Sequence, residues 1–581
     1  MKILKSGVAI VASLLVLVCV CCHEGAETQA EGQDAFSGEF CTAVYDGVAI
    51  RPWRDGDELR LFLPSYFVWE ETVLRFAEAG ATLDGEPVEG MVSLSAYQED
   101  QPYSYRNGDS REWKLYVQKS RDVGTVYIET VSGTMAEVDA DKEHRESGMI
   151  QVRDADGNQD YAGYLTQIKG RGNVTWLAEK KSYGIKLASE ADLLGMGTAR
   201  KWILLNNVYD GTGLRNKLCL DLAKEVGVSF AVEAEWVDLY LNGSYNGNYL
   251  LCEKVEIGDN RIEIADGSEQ NNTQGGYLLE RNSYYDADGK FKTADGNPFT
   301  LSYPKEPTEA QLSYISERVQ TIEDLLLARK YEEAGAYLDW NSFFLRYLVD
   351  EVVLNQDSGV TSMYFYKDAE DDLLYSGPIW DYDASLGAGS LTSMMNYHVI
   401  AGRDLNGCRG DISLSWYSAM YDSVWFQAHI QELYRETVRP YLETLLKEKI
   451  DDYIAEMKRS RELDGIRWRN LDCKTGHYTE TENELRYLKY FLEQRVSSLD
   501  AEWLGKKTEV NGQSDGTVHT VRYVSEKGTK LEKVPDGGMI ILTPEELLGE
   551  GEWWFNERDG QDLTPYLPVF EDVTFEASTG E

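Results

Sequence analysis

Histidine is scarce in this sequence: there are six among 581 residues, scattered and never at metal-ligand spacing. A histidine-based catalytic centre therefore finds no support. Cysteine is nearly as sparse, with eight residues. Three of them, Cys19, Cys21 and Cys22, end an N-terminal apolar run. The other five, Cys41, Cys219, Cys252, Cys408 and Cys473, are far apart and contain no CxxC pair, which excludes a zinc knuckle and argues against a dense disulfide frame. Positive charge is also short: 57 Lys and Arg stand against 100 Asp and Glu, a net charge of −43. Nucleic acid and anionic membrane are repelled by such a field, because phosphates need cations to replace their counterions. Basic partners and divalent cations are favoured instead.

Long apolar runs are missing beyond Val8–Cys22, which Lys2 and Lys5 precede. Its length suits a signal-peptide core and falls short of a membrane span. The expectation is an exported, extracellular or cell-surface protein, with 1–22 as signal peptide and 23–37 as linker. A lipid on the terminal cysteines, or an uncleaved signal, is the only membrane attachment the sequence offers.

What the sequence does have is length for three or four domains and enough hydrophobic content (42%) for a sizeable core. Residues 38–134 read as a β-sandwich-like domain: "ELRLFLP", "EWKLYVQ" and "GTVYIETV" alternate, and an Asp-Gly turn joins strands in "ATLDGEPVEGMVSLSAY". From 135 the pattern becomes α+β. "YLTQIKGRGNVTW" is a strand entering a tight turn. "KKSYGIKL" alternates, with Tyr183, Ile185 and Leu187 on one face and Ser182, Gly184 and Lys186 on the other. "KWILLNN" is a short buried strand. Leu214, Leu218, Leu222 and Val226 mark a helix stopped by Gly227, and Asn242-Gly243 turns a hairpin. Helices dominate after 307; "DWNSFFLRYLVDEVVLNQD" puts Phe344, Leu348 and Val352 on one stripe. Residues 506–581 form a small β-rich domain whose strand and turn spacing loosely resembles a bacterial surface β-grasp repeat.

The chemistry-bearing stretch is "SGPIWDYDASLGAG", with Asp381 and Asp383 one residue apart. Asp357 ends the preceding helix, and one hairpin separates it from Asp381, so both carboxylates are expected in one crevice. Hard oxygen ligands suit Mg²⁺ or Mn²⁺, and an acid beside the metal orients a hydroxyl nucleophile. Lys186, upstream on a strand, is placed to reach an anionic phosphate. Lysine, aspartate, aspartate, running from a strand lobe to a helical lobe, is the order of a protein kinase.

"IKGRGNVTW", "KKSYGIKL", "KWILLNNVYDGTGLRNKLCLDLAKEVG", "VDLYLNGSYNGNYLLCEKVEI", "GGYLLE", "LSYPK", "NQDSGVTSMYFYKD" and "IWDYDASLG" follow one another between about 165 and 390. In that order they resemble the CotH kinase family, the spore-coat-protein-H-like atypical kinases, with 135–505 as the domain. The resemblance implies a two-lobe kinase-like fold, ATP, a divalent metal, and phosphorylation of serines on secreted, surface or spore-coat proteins. It further implies Asp357 as the acceptor of the substrate proton and Asp381 as the metal aspartate, with Asp383 beside it. Lys186 is the phosphate-contacting candidate, and Lys181 its fallback. Arg171, Gly172 and Asn173 form the turn that replaces a glycine-rich loop, and Glu253 lies in the segment linking the lobes near adenine. Ser362 stands where ordinary kinases hold a metal-binding asparagine, five residues after the catalytic aspartate.

Each residue also has an ordinary alternative. Asp357, Asp381 and Asp383 are common turn formers, Lys186 a surface charge, and Arg215 and Asn216 plain helix-start residues. Two other functions fit parts of the pattern: an inactive kinase-like surface scaffold or adhesion protein, and a glycoside hydrolase using Asp357 and Asp381 as its acid pair. For a kinase, the acidic charge points to a basic, serine-rich protein substrate.

Overall fold

The structure, a computed structural model, describes residues 40–579 apart from 77–79, 89, 108–110, 266–271, 283–288, 356, 389–415, 470, 472–476, 479, 507–515, 543, 557–560 and 563–566. The signal peptide and linker, with Cys19, Cys21 and Cys22, fall outside the described residues, as do Cys408 and Cys473.

Two sheets open the described chain. One has four strands, the other six, and Leu59, Leu61, Leu63, Phe67 and Leu74 are buried in their shared core. The strand Glu58–Leu63 alternates in sequence yet is buried on both sides, since Phe62 packs on Tyr245 of the next unit with ring centroids 4.8 Å apart.

That next unit is a closed barrel. Its strands are β1 (Gly124–Thr130), β2 (Glu146–Arg153), β3 (Gln159–Arg171), β4 (Ser182–Asp192), β5 (Thr198–Leu205), β6 (Ala234–Leu241) and β7 (Ser244–Glu253). They run around the ring in the order β1-β2-β3-β4-β5-β7-β6, and helix α1 (Arg215–Glu225) is inserted between β5 and β6. Gly124–Thr130, expected in the N-terminal sandwich, instead closes this ring, antiparallel to β2 and parallel to β6. Strand alternation fills the interior with Tyr183, Ile185, Leu187, Trp202 and Leu204. The outer residues Ile203, Leu250 and Cys252 join the large core shared with the helices.

Against that outer face stands a second, five-stranded sheet. It includes β8 (Tyr277–Arg281), β9 (Lys290–Lys292), β10 (Pro298–Tyr303), β11 (Met363–Lys367) and β12 (Leu374–Ser376), in the order β9-β10-β8-β11-β12. Helix α2 (Glu309–Leu327) starts at a capping box of Thr308 and Gln311. Helix α3 (Trp340–Val353) starts at Asp339, whose side chain accepts from the Ser342 amide. The apolar stripe predicted for α3 understates its burial: Ser342 through Val353 are all buried. Its charged residues are tolerated because they are paired, Arg346 with Asp350 at 3.1 Å and Glu351 with Arg495 at 3.0 Å. Helix α4 (Ile450–Arg467) ends a long helical run and packs on β7, and α5 (Thr481–Leu504) stops at Gly505, which adopts the left-handed conformation. Among the described residues no helix is long and apolar enough to cross a membrane. A small C-terminal sheet, whose first and last strands pair in parallel, docks on α5 through Asn483–Glu571 at 2.8 Å and the Arg486–Asp536 ion pair.

Candidate active site

Two loops bring the aspartates together, and α3 anchors both. The helix ends at Val353, with Leu354 in the left-handed region (φ 52°). Asp357 thus lies in the turn after the helix rather than at its end. Its amide donates to Asn355 Oδ1 at 3.1 Å, and its carbonyl accepts from the Val360 and Thr361 amides. The next residue, Ser358, donates its hydroxyl to Asp350 Oδ2 at 2.8 Å. In the second loop Asp381 adopts φ 68°, uncommon for a residue with a side chain. Between the two acids the buried Tyr382 donates its hydroxyl to Asp350 Oδ1. Asp350, fully buried, therefore ties down the residue after Asp357 and the residue between Asp381 and Asp383.

Helix α1 supplies the other tethers. Asn216 Oδ1 accepts from the Tyr382 amide at 2.8 Å. Arg215 donates to the Ser385 carbonyl at 3.1 Å while its guanidinium pairs with Asp210 (2.5 Å) and Glu484 (3.1 Å). Arg215 and Asn216 are thus structural ties to the acid loop, which their helix-start position alone did not reveal.

The result is a cluster of like charges. Burial, and then the neighbouring Asp381, Asp357 and Asp210, push the Asp383 carboxyl well above its usual range. Ser362 donates its hydroxyl to Asp381 Oδ2 at 3.1 Å, so the structure brings Asp357, Ser362, Asp381 and Asp383 to one place.

A ring contact places a cation beside the second acid loop. Arg171 pairs with Ser182 on the outer face of the barrel, and its guanidinium lies 5.3 Å from the centroid of the Trp380 ring. It is within electrostatic reach of Glu280, which Asp381 also reaches. Glu280 sits on β8 opposite Tyr364 of β11. Burial raises its carboxyl to about 7, with Asp381 adding to the rise. Sequence reasoning passed over Glu280; the only signal was its place in "GGYLLE". Gly172 follows Arg171 at φ 101°, and a Cβ there would stand 2.1 Å from Thr175 Oγ1, so the turn requires glycine.

The other predicted residues lie elsewhere. Lys186 shares the outer face with Arg171 but lies four residues past Ser182, about 13 Å along the strand. Its register partners are Gln167 and Lys201. Lys181 falls on the opposite face by strand parity and donates to the Trp176 carbonyl at 2.8 Å. Asn173 is exposed at the turn. Glu253 pairs with Arg261 and accepts from the Glu233 amide at 2.9 Å, so its carboxylate is engaged within the protein.

A family model described as CotH kinase protein matches residues 168–499. The chain belongs to the CotH kinase family. That span covers α1, both acid loops and the facing strands. No curated protein is significantly similar to the chain. Membership supports a kinase, with use of ATP and divalent metal general to the family; it does not favour a scaffold or a glycoside hydrolase. Among the described residues no cluster of three or more His, Cys, Asp or Glu stands ready-made around a metal position. The donor chemistry at the crevice nonetheless fits a hard cation: Asp381, Asp383 and Ser362 offer only oxygen ligands, and the raised Asp383 carboxyl is a charge conflict that a divalent ion relieves.

Proposed function

We propose that this chain transfers the γ-phosphoryl group of ATP to serine hydroxyls of secreted or surface proteins, with Asp357, Asp381, Asp383 and Arg171 as the working residues. The observation carrying this reading is the mutual proximity of Asp357, Asp381 and Asp383, with Arg171 beside Trp380, the residue before Asp381. Asp357 accepts the proton of the serine hydroxyl as its oxygen bonds to the γ-phosphorus. The bond from that phosphorus to the bridging oxygen breaks, and ADP leaves with the electron pair. Asp381 and Asp383 would hold a divalent ion, which neutralises phosphate charge when bound. Arg171, not Lys186, is the group we assign to the phosphates; a guanidinium donates in parallel to two oxygens. Positioning and electrostatics carry most of the rate, since the protein does little covalent chemistry in this reaction.

The expected acceptor is a basic, serine-rich segment, which suits the net charge of −43. The surface location rests on Lys2, Lys5 and the apolar run Val8–Cys22. The test is transfer of labelled phosphate from ATP to a serine-rich basic peptide. Asp357→Asn and Asp381→Ala should each reduce it at least a hundredfold. Transfer that survives both substitutions refutes the assignment.

A further inference from the structure

The loop from β5 into α1 walls a pocket of about 210 Å³, together with α4 and the first residue of α5. None of Asp357, Arg171, Asp381 and Asp383 lines it. Buried polar atoms do. Arg461 Nη1, on α4, is buried and has no hydrogen-bond partner among the described residues, and the same holds for both the oxygen and the nitrogen of the Asn207 side-chain amide. Buried polar atoms are almost always paired in a folded protein, so three of them lining one pocket point to a polar ligand.

The charges say of which kind. Arg461 donates at 3.4 Å to Thr481 Oγ1, its one hydrogen-bond partner among the described residues, and burial lowers its guanidinium to about 10. The acids around it are engaged elsewhere: Asp210 with Thr212 and Arg215, Glu484 with Arg215, and Asp464, through Oδ1, with Lys180 and the Asn248 amide. Lys180, 3% exposed, spends two of its three N–H groups, on Asp464 and on the Asn248 carbonyl, both at 2.7 Å. Thr481 is the first residue of α5, and Glu480 before it contributes no side-chain cap, so the helix start adds partial positive charge. A guanidinium fork, an amide and an ammonium suit a tetrahedral oxyanion, and the volume is larger than one such ion needs. We infer that this pocket takes a phosphomonoester, with Arg461 and Lys180 on the phosphate oxygens and Asn207 on the group that carries it. Its source is either a phosphoserine side chain or free phosphate. Asp210 lines the pocket and lies within electrostatic reach of Asp383, so a segment phosphorylated once can rest here while the acid crevice meets its next serine. The pocket itself does not depend on the kinase reading; only the phosphoserine source rests on it.

The experiment titrates the full chain by calorimetry, without nucleotide, with N-acetyl-phosphoserine amide and with inorganic phosphate. Arg461→Gln and Asn207→Asp should each weaken binding at least tenfold, while Arg171→Met should change it less than threefold. Tighter binding of the phosphoserine probe, by at least fivefold, identifies phosphorylated protein as the source; tighter or equal binding of inorganic phosphate identifies the free ion. No binding of either probe at millimolar concentration overturns the inference, and so does binding that Arg461→Gln leaves unchanged. A loss in Arg171→Met equal to that in Arg461→Gln also overturns it, because the probe would then sit in the nucleotide site. Thermal unfolding reports whether each variant is folded; Asn207→Asp is nearly isosteric and carries the test should Arg461→Gln unfold early. Failure of the unsubstituted chain to bind ATP in a separate titration would remove the kinase reading and leave the pocket as it stands.

Discussion

Asp350 is the residue whose removal should be felt most widely. Its carboxylate is fully buried and accepts from Arg346 Nε (3.1 Å), Ser358 Oγ (2.8 Å), Tyr417 (2.8 Å) and Tyr382. Asp350→Ala leaves the buried Arg346 guanidinium without its counter-ion, and removing one partner of a buried pair costs about 3–5 kcal/mol. The orphaned hydroxyls add to this, but not additively, because all four donors share one acceptor. The expected loss is therefore about 3–5 kcal/mol in urea unfolding. Arg346→Met in the same chain should recover at least about 1 kcal/mol, because the stranded charge is gone. Amide hydrogen exchange should speed up in 357–362 and 379–386 together, since Ser358 and Tyr382 hang from the same carboxylate. Phosphotransfer should fall in both the single and the double variant, because neither restores the tether. A loss below about 1 kcal/mol, strictly additive substitutions, or acceleration in only one loop would refute the reasoning.

Two further predictions follow from the same geometry. Arg171→Met should raise the KM for ATP ten- to a hundredfold, the value of one or two charge-assisted hydrogen bonds at about 1.5–3 kcal/mol, while Lys186→Met should change it less than threefold; the reverse order would restore Lys186 to the phosphates. Asp238, buried on β6, accepts from Ser460 at 2.6 Å while its Oδ2 has no partner, and burial pushes its carboxyl up to about 6. A carboxyl raised on folding binds more protons folded than unfolded between about pH 4 and 6. Stability therefore falls as pH rises through that window and is flat above it. At about 1.4 kcal/mol per pH unit, Asp238→Asn should gain up to about 3 kcal/mol at pH 8 relative to its effect at pH 4. An identical pH slope in the variant and the parent would count against this.

Much of the local structure was legible from pattern alone. The α1 repeat of Leu214, Leu218 and Leu222, the Asn242-Gly243 hairpin and the alternation of Ser182–Lys186 all reappear as elements with the expected faces. Asp357, Ser362, Asp381 and Asp383 could be singled out because two short loops carry them. The facing cation could not be chosen this way. Period-two alternation says on which face Lys186 and Lys181 lie; how far along the cleft each stands depends on pairing with β3 and β5, which one strand does not encode. Arg171 was visible only as part of a turn, and its proximity to Trp380 spans more than 200 positions of chain. The ties from Arg215 to Ser385 span 170 residues and left no local trace. Gly124–Thr130 alternates like its N-terminal neighbours, and only its parallel partner, over 100 residues on, shows where it belongs.

That last strand has a practical side. Gly124–Thr130 is a stave held from both flanks, by β2 on one side and β6 on the other. A fragment begun at residue 135 would lack it and would expose two raw strand borders, each a template for self-association. A self-contained barrel in this chain must start upstream of Gly124. The N-terminal sheets and the barrel thus meet at a seam some ten residues earlier than alternation suggests, and a fragment of this chain meant to keep the barrel whole has to be cut there.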